Sequence, residues 1–546
     1  MDGRTSFWQR NRWLKWVGGG LLLALLVVAG AVYFLLRQAE PILRARVVQA
    51  LQAHFHARVE LDAFHVSFVD GVRAEGKGLR IWPPAQVEGV SVPSPAGPVD
   101  PLIRVDEFRF HAPLRYEPGK PVHIQVVELK GLHIHLPPRS HFEKNPPSAN
   151  GAGASKPWGT PGMMRFQVDT LECADAELVL GTSNPAKLPM EVAIAHLKLT
   201  HIGADKAMGF DAQLTNPRPV GAIHSTGSFG PWHVEDPGES PVNGDYRFDH
   251  ADLGDFKGIA GILNSTGHYQ GTLRNLTTDG ETDTPDFRLT QFGNPMPLHT
   301  RFHAKVDGTN GDTWLEPVEA TLGHSHFFAQ GQIVRVVVRE NGAPPRSVGH
   351  DIALDINIDK ARLEDFLRLA SRSATQLLTG PVAVKAALHI PPGKVPVHRR
   401  MTLNGRFVLD QARFASTKIQ DRIEELSLRG QGRPKEVKTL DSTGTRSRMT
   451  GDFQMANGVI KLSTLDYTVP GADIQLRGTY GLEGGALDFR GTAKMQATVS
   501  QMVGGWKGLL LKPADRFFKK NGAGTEIPIH IKGTRENPKF GFGLDN

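Results

Sequence analysis

The chain has 546 residues, with 63 Lys plus Arg against 56 Asp plus Glu, 40% apolar and 22% charged residues, and one cysteine. That composition belongs to a folded chain, not a disordered or collagenous one. Cys173 alone can form no intrachain disulfide and no cysteine-based zinc site. An excess of +7, with no basic run beyond Arg399-Arg400 or Lys519-Lys520, leaves no nucleic-acid footprint.

Trp16 to Leu36 reads WVGGGLLLALLVVAGAVYFLL, an uncharged run that as a helix spans about 31 Å, roughly one hydrocarbon core. The run predicts a transmembrane anchor containing Trp16, Leu21, Leu25, Val28, Tyr33 and Leu36, with Arg10, Arg12, Lys15 and Arg37 at its flanks. Ala29-Gly30-Ala31 has the look of a signal-peptidase site, but the apolar run continues to Leu36, which favours an uncleaved anchor. Residues 1–15 are expected in the cytoplasm and the large C-terminal body across the membrane, which in a bacterium is the periplasm.

After the anchor, Leu43, Val47, Ala50, Leu51 and Phe55 keep helical spacing, with Pro41 suited to a first turn. From Arg58 the period becomes two: Val59, Leu61 and Ala63, then Leu79/Ile81, Ile103/Val105, Ile124/Val126, Ile134/Leu136, Leu178/Leu180 and Leu197/Leu199. Such alternation places apolar side chains on one face of a strand and polar ones on the other. Asn-Gly pairs at 243–244, 310–311, 404–405 and 457–458 read as turns between antiparallel strands, as does Glu483-Gly-Gly485. A loose repeat of glycine, polar, then apolar or aromatic recurs, as in Gly227-Ser-Phe, Gly267-His-Tyr, Gly405-Arg-Phe, Gly451-Asp-Phe and Gly478-Thr-Tyr. Helices are expected at Asp359–Leu378, Thr417–Ser427 and Val499–Phe518. The expected order is a cap with the first strands at 37–136, a Pro/Gly-rich loop at 137–165, a central β region at 166–358, a helical insertion at 359–380 and a C-terminal β region at 381–546.

Catalytic chemistry has no foothold in the sequence. The pairs His54/His56, His133/His135 and His324/His326 lack a third ligand at recognisable spacing and alternate as outward polar positions do. Gly323-His-Ser-His-Phe327 ends in Phe where a nucleophile elbow needs Gly. Asp307-Gly-Thr-Asn-Gly-Asp312 is too short for a calcium loop and suits a hairpin turn. The chain therefore reads as a non-enzyme without cofactor or metal, in which the apolar sheet face is the feature to explain. Period alone leaves two architectures open: ordinary β-sandwiches, or one sheet curled into an open trough whose apolar face meets something other than water.

Several segments resemble the AsmA family of bacterial inner-membrane-anchored proteins. They are Pro41–Leu51 with Val59-Glu-Leu and Glu75-Gly-Lys-Gly-Leu-Arg-Ile, Asn216-Pro-Arg-Pro-Val-Gly with Gly227-Ser-Phe-Gly-Pro-Trp, Val469–Leu482, Ser500-Gln-Met-Val-Gly-Gly, and Ile527–Phe540. The resemblance implies one transmembrane helix, a chorein-like cap, and an elongated curled antiparallel β-sheet groove with a few short helices, as in bridge-like lipid-transfer proteins. It implies phospholipid and the inner membrane as partners, together with an outer-membrane or envelope protein, and no nucleic acid. The candidate groove lining is Val59, Leu61, Leu79, Ile81, Ile134, Leu136, Leu178, Leu180, Leu197 and Leu199. This chain is shorter than the largest family members, which leaves a second expectation: a tethered scaffold for outer-membrane protein assembly that offers its sheet edges for strand addition.

Overall fold

The computed structural model describes residues 41–542 except 42, 50, 53–57, 68–71, 83–99, 113–121, 138–165, 203–205, 218, 234–235, 291–292, 341, 371–377, 440–445 and 504–523. The expected anchor residues Trp16, Leu21, Leu25, Val28, Tyr33 and Leu36 lie outside the described residues. Among the described residues no helix is long and apolar enough to cross a membrane. Most of them are β-strand. They form two compact units, one holding the residues up to Pro137, those up to Val179 and Val192–Phe210, the other holding Leu180–Glu191 and the residues from Asp211 on.

In chain order the strands begin with β1 (Val59–Glu60), β2 (Ala63–Ser67), β3 (Val72–Ile81), β4 (Ile103–Ala112), β5 (Val122–Leu136), β6 (Phe166–Leu180), β7 (Met190–Thr200), β8 (Met208–Pro217) and β9 (Val220–Phe229). They continue with β10 (Pro241–Asp252), β11 (Ile259–Ala260), β12 (Ile262–Thr272), β13 (Asn275–Leu289), β14 (Met296–Val306), β15 (Thr313–Leu322), β16 (Ser325–Val338), β17 (Arg346–Arg362) and β18 (Leu378–Thr379). The last are β19 (Pro381–Ile390), β20 (Thr402–Asp410), β21 (Arg413–Phe414), β22 (Arg448–Ala456), β23 (Val459–Val469), β24 (Ala472–Gly481), β25 (Ala486–Met495), β26 (Thr525–Thr534) and β27 (Pro538–Phe542).

In the first unit β1 and β2 both pair with β3, and β3, β4 and β5 pair antiparallel in sequence. Residues 43–49 are helical, with Leu43, Val47 and Val48 half-buried, and the Arg44 guanidinium donates to the Leu61 carbonyl. One row of this sheet breaks the alternation. Gly78 and Gly131 adopt left-handed φ values of 66° and 64°, Gly78 against Asp62 and Gly131 against Asp106, where a Cβ would be strained. The buried set changes there from Ala74 and Gly76 to Ile81, and on β4 from Phe108 to Val105. β5 also slips upstream of Gly131, at residues without left-handed backbone, which corrects the expectation there: Ile124 is 3% exposed but Val126 is 39% exposed, and Val127 and Leu129 are half-buried.

In the second unit each long strand from β9 to β27 pairs antiparallel with the next long strand in sequence. Two short strands, β18 and β21, pair separately. One end of the apolar face is filled by a core of Ile358, Val382, Leu409, Tyr467, Val469, Ala493 and Met495. Two helices pack on that core, Leu363–Ala370 through Leu363 and Phe366, and Thr417–Gly430 through Ile423 and Leu426. Their apolar residues recur at i, i+3, the spacing that gives a helix one oily side.

The structure corrects several local expectations. Asp359–Arg362 is not helical but ends β17, where Ala361 and Arg362 pair with Val382 and Pro381; the helix starts only at Leu363. The Thr417 helix runs on to Gly430, and of the Val499–Phe518 segment the described helix is Val499–Val503. Asn457-Gly458 is a two-residue hairpin turn with φ values of 52° and 72° between paired Ala456 and Val459, the left-handed pair that a type I′ turn requires. Asn310-Gly311 also lies in a turn. Asn243-Gly244 and Asn404-Gly405, however, lie inside β10 and β20.

Candidate apolar sheet face

Residues directly opposite one another across an antiparallel ladder share a face, so the registers of the second unit define continuous rows. One runs from Ala329 through Ile356, Ala386, Gly405, Phe453, Leu462 and Gly478 to Phe489. The next runs from Val384 through Phe407, Gly451, Leu465 and Leu476 to Gly491. Leu354, Ile356, Leu388, Phe407, Phe453, Leu462, Leu465 and Leu476 are only half-buried. The facing interiors of a sandwich would bury such side chains almost completely; these rows remain accessible to a ligand.

The glycine-polar-aromatic repeat is what packs them. Gly405-Arg-Phe407 and Gly451-Asp-Phe453 lie on adjacent strands with Gly405 opposite Phe453 and Phe407 opposite Gly451. A Cβ on Gly451 would stand 2.8 Å from Phe407 Cε1, so the ring occupies the space that the missing side chain leaves. The two rings are 6.3 Å apart. Gly244-Asp-Tyr246 and Gly267-His-Tyr269 interlock in the same way on β10 and β12, with Tyr246 Cε1 2.7 Å from a Cβ built on Gly267. Gly280 with Phe302 and Gly478 with Phe489 repeat the contact one-sidedly. Rings laid against neighbouring glycine backbone cover the strands without standing up from them.

The polar residue of each repeat points to the opposite face and meets its counterpart there. Arg406 pairs with Asp452 at 2.7 Å, and His268 with Asp245 at 3.0 Å. The Arg406 hydrogen bond, followed by that of Thr464, holds the Asp452 carboxyl below its ordinary range, and Lys305 does the same for Glu316. Further pairs, His303–Asp279, Arg301–Glu281 and His389–Asp351, line this second face. They are solvent-exposed and worth little each. Their role is to leave one face charged and the other oily.

The sequence-derived candidates are distributed differently. Val59, Leu61, Ile81, Leu136, Leu180 and Leu197 are buried, whereas Leu79, Ile134, Leu178 and Leu199 are half-buried. Val59, Ile81, Ile103 and Ile134 are brought into one row by the registers of β1, β3, β4 and β5. The accessible rows of β16–β25 were missed as candidates, although the recurring Gly-x-aromatic signal marked them.

Of the histidine pairs, His54 and His56 lie outside the described residues, and His133 and His326 are tied to side chains. His133 bonds Glu177 at 2.9 Å, and His326 bonds Thr321 at 2.9 Å; among the described residues no group of three ligands could hold a metal ion. Ser325 is buried, donates to Asp365 at 2.7 Å and accepts from the Arg362 N–H. It ties the β15–β16 turn to the Leu363–Ala370 helix. In the 307–312 turn, Asp307 accepts from the Thr309 N–H and hydroxyl and from the Asn310 amide, spending its carboxylate on the turn itself. No protein-family model, no curated protein and no solved structure matches this chain.

Proposed function

We propose that the accessible apolar face of the second unit binds the acyl chains of phospholipids and lets them move along the strand rows. In this reading the protein is a non-enzymatic carrier, held at a bacterial inner membrane by Trp16–Leu36. Its body lies in the periplasm, passes lipid toward the outer membrane, and so supports the cell envelope. The observation that carries the reading is the pair of continuous half-buried rows through Phe407, Phe453, Leu462 and Leu465, backed by a charged face.

Each CH₂ taken from water contributes about 0.8 kcal/mol, and the effect has no direction, so a chain displaced by one carbon along such a row loses little. Headgroups can stay wet while the chains are covered, and no headgroup motif is required. The resemblance to the AsmA family supports the same reading.

The test is extraction of the purified full-length protein for bound lipid, with mass spectrometric detection. Co-purifying phospholipid in at least stoichiometric amount is the expected result. A lipid-free protein that also takes up none from phosphatidylethanolamine–phosphatidylglycerol vesicles would sink the reading and turn attention to a scaffold working through its sheet edges.

A further inference from the structure

The accessible face changes chemistry along the second unit. Through β16–β25 the two rows traced above are aliphatic, phenylalanine or glycine, and the phenols of Tyr467 and Tyr480 stand on the rows flanking them. Through β9–β14 the rows carry hydroxyls: Ser225 stands opposite Tyr246, Gly244 opposite Tyr269, and Ser265 opposite Thr282, which in turn faces Thr300.

The hydrogen-bond directions in this belt follow from counting protons. Ser225 donates to the Asp245 carbonyl at 3.0 Å and lies 2.8 Å from Tyr269 Oη. Ser265 donates to the Glu281 carbonyl at 2.9 Å and lies 3.1 Å from Tyr246 Oη. A serine hydroxyl has one hydrogen and a carbonyl only accepts, so each tyrosine is the donor to its serine. Tyr246 and Tyr269 thus keep oxygen lone pairs but have no hydrogen left to give. Burial pushes both phenols above their ordinary range, so they stay protonated. Thr282 and Thr300 bond each other at 2.7 Å.

Resting on the lipid reading above, we propose that this hydroxyl belt divides the face into two sections: acyl chains are retained over β16–β25, and the belt is a stretch of low acyl occupancy. A hydrocarbon chain laid across the belt strips water from the tyrosine oxygens and returns no hydrogen bond. Over Phe453 and Leu462 it meets only carbon. The two sections share the same interlocked glycine-aromatic packing, so the difference lies in oxygen atoms, not in the shape of the strands.

The experiment places p-benzoyl-phenylalanine at Phe453 or at Phe302, one in each section, in the full chain loaded from phosphatidylethanolamine–phosphatidylglycerol vesicles and irradiated. Lipid adducts at position 453 are expected to exceed those at 302 by about fivefold or more. Tyr246→Phe with Tyr269→Phe keeps both rings and leaves Ser225 and Ser265 bonded to their carbonyls, and should bring the ratio to within about twofold. Comparable adducts at both positions in the protein with both tyrosines overturn the division, even though lipid is bound. A ratio unmoved by the double substitution overturns the role given to the phenol oxygens. Adducts at neither position overturn the lipid reading and this inference together.

Discussion

Lys187 Nζ lies 2.8 Å from Asp312 Oδ1, and the two side chains are only 11% and 9% exposed. They are separated by 125 residues. Asp312 also accepts from the Arg335 N–H at 2.9 Å, and Lys187 donates to the Arg335 carbonyl at 2.7 Å. The Leu180–Glu191 segment is thereby fastened to the ends of β15 and β16. Lys187→Ala should cost roughly 3 kcal/mol, because it leaves a buried carboxylate without its cation. Denaturant unfolding measures this, and a loss below about 0.5 kcal/mol would show that the pair is no fastener.

The interlock of Phe407 with Gly451 makes a packing prediction. Gly451→Ala should destabilise by about 1–3 kcal/mol through overpacking. Combining it with Phe407→Leu should recover part of that loss, with a coupling of about 1 kcal/mol in a double-mutant cycle. Additive losses would mean that ring and glycine are neighbours without being partners. Recovery is expected to be partial, since the new Cβ would also stand 2.8 Å from the Thr464 carbonyl oxygen.

Placing a charge on the accessible face should separate binding from folding. Leu465 is half-buried there, while Lys461 is exposed on the charged side. Leu465→Asp is expected to reduce co-purifying phospholipid by about tenfold, the factor that 1.4 kcal/mol of lost affinity gives, and to keep the native circular dichroism. Lys461→Glu should change neither. Equal lipid content in all three proteins would remove these rows from the binding surface.

Glu483 predicts a local acid response. Arg399 binds it through two bonds at 3.0 Å each and His398 through one at 2.9 Å. These bonds, Arg399 first, hold its carboxyl below the usual range. A depressed folded value means that the contact stabilises fully above the unfolded carboxylate pKa and is lost as pH falls through the folded one. Protection of the Val397–Arg400 amides, taken as the intrinsic exchange rate at each pH over the observed one, should therefore fall on acidification below the ordinary carboxylate range. In Glu483→Gln that protection should be low already and flat across that window. Protection with the same pH dependence in both proteins would refute the assignment.

The alternation from Val59 onward was enough to specify a β protein, and the Asn457-Gly458 pair enough to specify its hairpin, because strand period and turn conformation are properties of a few adjacent residues. The apolar run at Trp16–Leu36 is also a property of adjacent residues, legible without any fold. Register is not, since it is a relation between strands. Only pairing with β12 and β22 showed that Gly244 and Gly405 face aromatic rings instead of turning the chain. Only the left-handed row at Gly78 and Gly131 explains why alternation slips at that row in β3 to β5. Whether an oily face is closed or accessible, and where hydroxyls meet on it, depends on which distant side chains arrive opposite. Tertiary structure alone decides that, by bringing residues such as Ser225 and Tyr269 within hydrogen-bonding distance.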